Sequence, residues 1–197
     1  MVSDPLHLLE VCAVSDGAAA VVLGSEAQAR RLGVPLVQVA GSAIATGQFG
    51  DPAVRIPTVS MNADPSVQHT SEVGGAVRAA LAAAGMETSD VDVLEMADNS
   101  AWHILAWPES FGFIEPGQAD WMITHGELGI EGKLPINPSG GFLSFGEATT
   151  AQGVLQVCEL VWQLRQQADG HQVPGARVGL SAVLGLGANG ASVVLKA

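Results

Sequence analysis

Apolar runs that suit buried strands alternate along this chain with segments that suit helices. In chain order the first elements are a strand at 18–23, a helix opened by the capping box Ser25–Gln28 and ended by Gly33, a strand at 36–44, a helix at 71–84 and a strand at 91–95. Strands separated by helices require crossover connections, which join parallel strands. We therefore predict an α/β fold with a mixed, mostly parallel sheet and helices on both faces.

The second half of the chain adds helices and closes with a hairpin. The predicted elements are a short helix at 98–107 stopped by Pro108, another near 119–126, a long apolar helix at 148–168, and strands at 178–184 and 191–195 with Asn189-Gly190 as the turn signal. Two segments lack clear periodicity. One is the connection 46–69, whose length is typical of functional loops, and the other is 108–135, which we predict to be an excursion outside the sheet.

Composition limits the classes of protein. With 197 residues, 48% of them hydrophobic and 14% charged, the chain suits one compact domain, 1–197. Its net charge of −12 argues against nucleic acid as a partner. Cys12 and Cys158 are isolated, so they predict neither a disulfide framework nor a metal site. The sequence has no apolar run of membrane-span length and no signal-peptide pattern, so we expect a cytoplasmic protein without a membrane span.

The stretch from Leu134 to Gly141, followed by Gly146 and Glu147, is the part of the chain most suggestive of chemistry. Glycines let a substrate approach the backbone closely, and a helix that starts nearby presents unpaired amide hydrogens to an anion or a developing oxyanion. Glu147 is then an available base. Equally, a carboxylate at a helix start complements the helix dipole. The residues alone leave both interpretations open.

Four landmarks in this order resemble the C-terminal domain of the thiolase superfamily, in particular the sterol-carrier or lipid-transfer type. They are Ser15-Asp16-Gly17-Ala18-Ala19-Ala20, the segment 90–95, the stretch 132–141 (Gly-Lys-Leu-Pro-Ile-Asn-Pro-Ser-Gly-Gly) and the glycine-rich terminal hairpin. The match covers nearly the whole chain. The resemblance implies the C-terminal half of a thiolase fold, with 1–14 as a lead-in segment and a C-terminal β-hairpin.

The resemblance also implies a function. Enzymes of this family act on acyl-CoA thioesters, so CoA thioester is expected as substrate, with no other cofactor and no metal. Two similar halves pack together in the family, and the nucleophilic cysteine lies in the N-terminal half. We therefore expect an N-terminal thiolase-like half, in the same or another chain, within a homodimer or hetero-oligomer. A small protein with an OB-fold and a zinc ribbon is a further partner that the family type implies.

Three positions depart from the catalytic pattern of the family. Glu147 stands where the family carries the histidine of G-H-P-x-G-A-T-G. Ala97 stands where the family has a residue that holds an oxyanion-hole water, and Leu184 lies near the position of the family's second catalytic cysteine. We predict Glu147, Asn99 and Asp98 as catalytic residues, with Glu147 as the base. An ionised glutamate repels an oxyanion, so we expect altered carbon–carbon bond chemistry, such as retro-aldol cleavage, rather than ordinary thiolase turnover.

Substrate contacts are predicted for eight further residues: Asn137, Ser139, Gly140, Gly141, Gly146, His103, Gly185 and Gly187. Each has a structural alternative, such as turn formation for the glycine-rich residues and packing for His103, while Asp98 and Asn99 are also good helix caps. Two functions compete with the enzyme. One is a non-catalytic subunit that completes a partner half, and the other is an acyl or sterol carrier without turnover.

Overall fold

The computed structural model describes residues 1–47, 72–185 and 189–197, within which four strands form one sheet. The strands are β1 (Gln38–Thr46), β2 (Val93–Met96), β3 (Val178–Gly185) and β4 (Asn189–Lys196), in the order β1-β4-β3-β2. The helices are α1 (Glu26–Leu32), α2 (Glu72–Ala84), α3 (Ala101–Phe111), α4 (Ala119–Thr124), α5 (Gly141–Phe145) and α6 (Gln152–Leu164), with 3₁₀ turns at Leu8–Glu10 and Thr88–Asp90. None of these helices combines the length and the apolar character needed to cross a bilayer.

The sheet is mixed, as predicted. β2 pairs with β3 in parallel, whereas β4 pairs antiparallel with both β3 and β1. β1, β2 and β3 therefore run in one direction, and β4 alone among the described strands runs against them. Among the described strands, the β2–β3 pairing is parallel and the other two pairings are antiparallel.

Helices cover both faces of the sheet. α2 packs on β1 and β4, and Gly41 allows the close approach, because a Cβ there would lie 2.2 Å from the carbonyl oxygen of Ala80. α6 packs against β3 and β2 on the opposite face. Alternation along β2 shows the two sides: Leu94 lies in the buried cluster beneath α2, and Val93 lies in the cluster with Leu160 of α6.

The strand predicted at 18–23 is wrong. These residues lie outside the sheet without strand pairing, and Val22 is 98% exposed. An apolar run becomes a strand only where the backbone of another strand lies beside it, and the residues of the run cannot specify that. The helix that follows is as predicted: the Ser25 side chain accepts a hydrogen bond from the Gln28 amide at the start of α1, and Gly33 ends the helix in the left-handed conformation.

The helix predicted to stop at Pro108 runs on to Phe111 as α3. A proline inside a helix removes one hydrogen bond and crowds an earlier carbonyl, at a cost of about 3 kcal/mol. Burial of the large side chains of Trp107 and Phe111 in the main core offsets that cost. Gly112, with φ 84°, ends the helix.

The long helix predicted at 148–168 is shorter, and a helix that the sequence did not predict precedes it. Thr150 (φ 75°) and Gln166 (φ 58°) adopt the left-handed conformation, which a right-handed helix cannot contain, so α6 spans only Gln152–Leu164. α5 follows the glycine-rich turn directly. Glu147 therefore lies in the connection between α5 and α6 and not at a helix entrance.

The C-terminal hairpin is confirmed, but Asn189-Gly190 does not form its turn. Both residues belong to β4 and pair with the end of β3. A Cβ at residue 190 would lie 2.5 Å from the Cα of Val73, so the glycine lets α2 approach β4. Residues 186–188, which include Gly187, and nearly all of the predicted connection 46–69 lie outside the described residues.

Between α3 and the glycine-rich turn, the chain builds a small core of its own and then returns to the sheet. The buried members of this core are Ile114, Ala119, Leu128 and Leu134. On its return the chain lies beside β2: the Leu94 amide donates to the Pro135 carbonyl oxygen at 2.9 Å, and the Asn137 amide donates to the Leu94 carbonyl oxygen at 2.8 Å. These two hydrogen bonds fix the glycine-rich turn at the edge of the sheet.

Candidate active site

Glu147 and Asn99, two of the predicted catalytic residues, meet Cys12 in one half-buried cluster. Cys12 Sγ lies 3.9 Å from Glu147 Oε2, and Asn99 Nδ2 lies 3.9 Å from the same sulfur. Gln152, at the start of α6, donates from Nε2 to Glu147 Oε1 at 3.1 Å. A carboxylate, an amide donor and a thiol thus lie together at one place on the domain.

The lead-in segment holds this cluster together. The Cys12 amide donates to the Asn99 carbonyl oxygen at 3.0 Å, and the Glu147 amide donates to the Ala13 carbonyl oxygen at 2.7 Å. Gly146 (φ 84°) lies so close to the same segment that a Cβ there would be 2.9 Å from the Ala13 carbonyl oxygen. The position of Gly146 is therefore set by backbone packing, and a substrate contact by it stays a prediction.

Cys12 is the site residue that sequence reasoning missed. It lies 135 residues from Glu147, and no local pattern around it indicates a tertiary partner. Burial, together with the charge of Glu147, raises the pKa of the Cys12 thiol. At neutral pH the thiol therefore stays protonated, and it is a proton donor rather than a ready nucleophile.

We expect Glu147→Gln to speed the alkylation of Cys12 by iodoacetamide about two- to tenfold at pH 7.5, because removing the negative charge lowers the pKa of the thiol. The rate is measured by mass spectrometry of the peptide that carries Cys12. Cys158, whose sulfur contacts the Ala20 carbonyl oxygen instead, is the internal control and should react at an unchanged rate. An unchanged Cys12 rate would show that Glu147 does not act on the thiol.

Asp98 lies in a neighbouring cluster around the glycine-rich turn. It is 3% exposed, and its carboxylate accepts a hydrogen bond from the Phe142 amide at 2.6 Å. Burial raises the pKa of Asp98, and the hydrogen bonds to it oppose that effect. Gly141 (φ 65°) is required beside it, because a Cβ there would lie 2.3 Å from Asp98 Oδ2. These contacts are those of a positioning residue for α5, and a catalytic role of Asp98 stays a prediction.

Asn137 and Ser139 tie the turn to β2. Asn137 Oδ1 accepts from the Met96 amide at 2.7 Å and Nδ2 donates to the Met96 carbonyl oxygen at 3.0 Å, so this side chain extends the hydrogen bonding of the strand. The amide and the hydroxyl of Ser139 both donate to the Glu95 carboxylate. Gly140 (φ 96°) supplies the left-handed backbone of the turn. The contacts seen are structural, and substrate contacts by the turn residues stay predictions.

His103 caps the start of α3. The Ser100 amide donates to its Nδ1 at 3.1 Å, and its ring packs edge-on against Trp107 with the ring centroids 4.7 Å apart. Burial lowers the pKa of His103, so the imidazole is neutral at pH 7. Gly185 lies at the exposed end of β3. Nothing in the described contacts joins His103 or Gly185 to the Cys12 cluster.

Residues 53–197 match the family described as thiolase C-terminal domain-like. The chain belongs to this family. Acetyl-CoA acetyltransferase of Methanothermobacter thermautotrophicus is 34% identical over 194 residues, which are 98% of this chain and 48% of that protein. Sterol carrier protein 2 of Homo sapiens is 36% identical over 193 residues, 98% of this chain and 34% of that protein. Among solved structures, the Ltp2-ChsH2(DUF35) aldolase matches with a TM-score of 0.77 and 27% identity, over 100% of this chain and 49% of that one.

The comparisons confirm the resemblance and the fold that it implied. The chain spans about half the length, or less, of the relatives it matches. In this thiolase C-terminal domain, Glu147, for which the resemblance predicts the position of the family's histidine, lies in one cluster with Cys12 and Asn99. Ala97 is 1% exposed, and it offers only a methyl group where a polar residue was expected. In the described parts of the chain, no group of three His, Cys, Asp or Glu residues is placed to hold a metal ion.

Proposed function

We propose that this domain is the C-terminal half of a lipid-transfer-type thiolase homologue that cleaves a carbon–carbon bond of an acyl-CoA thioester, with Glu147 as the base. The observation that carries the proposal is the contact of the Glu147 carboxylate with the protonated Cys12 thiol and, through that thiol, with Asn99. A base and a proton donor together suit retro-aldol cleavage better than thiolysis, which needs a nucleophilic thiolate.

The proposed reaction conserves protons within this cluster. Glu147 removes the proton of a β-hydroxyl group, the Cα–Cβ bond breaks, and its electron pair moves to the α-carbon as the thioester enolate. The Cys12 thiol protonates that carbon and regains a proton from Glu147, which lies 3.9 Å away. The products are an aldehyde or ketone and a shortened acyl-CoA. Asn99 Nδ2 is the available donor to the enolate oxygen.

The substrate class and the partners extend the same proposal. An acyl chain or steroid side chain carried on CoA suits a relative of sterol carrier protein 2. Because the chain spans about half of its relatives or less, an N-terminal thiolase-like half in the same or another chain is proposed to complete the site. The name of the structural neighbour couples Ltp2 with ChsH2(DUF35). For this chain we propose a homodimer or hetero-oligomer, with an OB-fold and zinc-ribbon protein as a further partner.

The proposal is tested on the complete assembly that contains this chain. With a β-hydroxyacyl-CoA as substrate, mass spectrometry should detect the carbonyl product and the shortened acyl-CoA in equal amounts. With acetoacetyl-CoA and free CoA, turnover should be slight. Robust thiolysis of acetoacetyl-CoA without cleavage of the hydroxy substrate would overturn the proposal. Native mass measurement of the same sample shows whether an N-terminal half is present.

A second candidate, a non-catalytic subunit that completes a partner half, is favoured by the apolar side chains that this domain leaves exposed. Val14 and Val22 of the first segment are 89% and 98% exposed, and Trp162 of α6 is 45% exposed. Such a surface suits burial against another protein. This candidate predicts that substitution of Glu147 changes no activity of the assembly, whereas the enzymatic proposal predicts the opposite.

A further inference from the structure

A second cluster of buried polar side chains lies between β2 and α6. Glu95 of β2 is 2% exposed and Glu159 of α6 is 4% exposed, and both line a cavity of about 200 Å³. A cavity of this size has room for several waters or for one small polar group. Cys12, Asn99 and Glu147 do not line it, although Ser139 of the glycine-rich turn does, so the cavity is distinct from the Cys12 cluster.

The two carboxylates of this cavity are only partly balanced by the chain itself. Glu95 accepts hydrogen bonds from the Ser139 amide and hydroxyl at 3.2 and 2.9 Å. Glu159 Oε1 accepts from Gln163 Nε2 at 2.9 Å and lies 3.1 Å from His171 Nε2. Among the described residues that line the cavity there is no lysine or arginine. Without a full positive partner, burial favours the protonated form of such a group, and a cation that enters the cavity would restore the ionised form and be held by it.

Gln156 points independently to a ligand. It is 2% exposed and lines the same cavity, and neither its Nε2 nor its Oε1 has a hydrogen-bond partner within the described parts of the chain. Buried side-chain amides nearly always have partners. A group bound in the cavity that carries several N–H donors would supply one to Oε1.

Aromatic side chains complete the lining. Phe145 and Trp162 line the cavity and are 40% and 45% exposed, so they lie toward its opening. Aromatic rings attract organic cations. A metal ion fits less well, because the described residues hold no group of three His, Cys, Asp or Glu placed to bind one.

We propose that this cavity binds the guanidinium or ammonium group of an organic cation, held between Glu95 and Glu159 with Gln156 accepting one of its hydrogen bonds. The cation has two possible sources: a basic side chain from the remainder of the assembly, or a free small molecule. The chain itself is poor in such groups, with 8 lysines and arginines against 20 aspartates and glutamates.

The test uses methylguanidinium as the probe and methylurea, its uncharged analogue, as the matched control. Both are titrated into the 197-residue chain at constant ionic strength, and the Gln156 side-chain amide is followed by NMR. Its signal is assigned by its loss in Gln156→Leu. Methylguanidinium should shift the signal to saturation, and methylurea should not. Glu159→Gln should weaken methylguanidinium binding at least about tenfold, because a charge-assisted hydrogen bond is lost.

The control variant Glu131→Gln removes the same charge from an exposed position and should leave the affinity unchanged. If Glu159→Gln fails to fold, Glu95→Gln replaces it. Equal binding of the two probes, or unchanged affinity in the Glu159 and Glu95 variants, would overturn the proposal. Repeating the titration with the complete assembly separates the sources. If the assembly no longer binds methylguanidinium, a basic side chain of the assembly occupies the cavity. If the assembly still binds it, the natural occupant is a free cation.

Discussion

Replacing Glu147 by glutamine should reduce cleavage of a β-hydroxyacyl-CoA by the complete assembly at least ~100-fold, because general-base catalysis contributes about 10² to 10⁴ in rate. The substitution keeps the shape of the side chain and its acceptor for Gln152 Nε2, so the local structure and the assembly should stay intact. Rates are measured with saturating substrate, and assembly is checked by native mass.

Two controls make this result specific to the base. Glu131→Gln removes an exposed carboxylate from a position outside the site and should retain full activity. The faster alkylation of Cys12 expected in Glu147→Gln reports that the negative charge beside the thiol has been removed. Undiminished cleavage in a variant that passes both checks would rule out Glu147 as the base and favour the non-catalytic subunit.

The second large effect concerns stability and lies at Glu95. Burial raises the pKa of Glu95 to about 8. An acid whose pKa is higher in the folded state binds its proton more tightly there than in the unfolded chain. The contribution of Glu95 to the free energy of unfolding is therefore complete below the unfolded pKa of 4.5 and is lost as the pH rises through about 8. Because each pKa unit corresponds to about 1.36 kcal/mol, the loss is on the order of 4 kcal/mol.

Glu95→Gln should therefore flatten the pH dependence of stability. Between pH 4.5 and pH 9, the free energy of unfolding of the parent chain should fall by on the order of 4 kcal/mol more than that of the variant. The measurement is urea unfolding followed by circular dichroism at several pH values. Glu131→Gln, which removes an exposed carboxylate, should follow the parent curve. Parallel curves for the parent and Glu95→Gln would show that Glu95 ionises as easily in the fold as outside it.

Much of the fold could be predicted from the sequence because it rests on local signals. The capping of α1 by Ser25, the alanine-rich α2 and the two strands of the hairpin follow from side-chain preferences within a few residues. The predictions that were wrong depend on distant partners. The run 18–23 is apolar enough for a strand, but no strand among the described residues lies beside it. Pro108 is tolerated in α3 because Trp107 and Phe111 are buried.

The candidate site likewise has features that follow from local sequence and features that depend on distant residues. The sequence by itself determined the family and the glycine-rich turn, because each of these is a pattern of neighbouring residues. The correspondence of Glu147 to a family histidine stays a prediction from a pattern of the same kind. The tertiary structure alone decided that Glu147 lies beside Cys12, that Asp98 anchors α5, and that Glu95 and Glu159 line the same cavity. Such contacts join residues far apart in the chain, and the pKa values that follow from them depend on burial and on neighbouring charge, which only the folded chain creates.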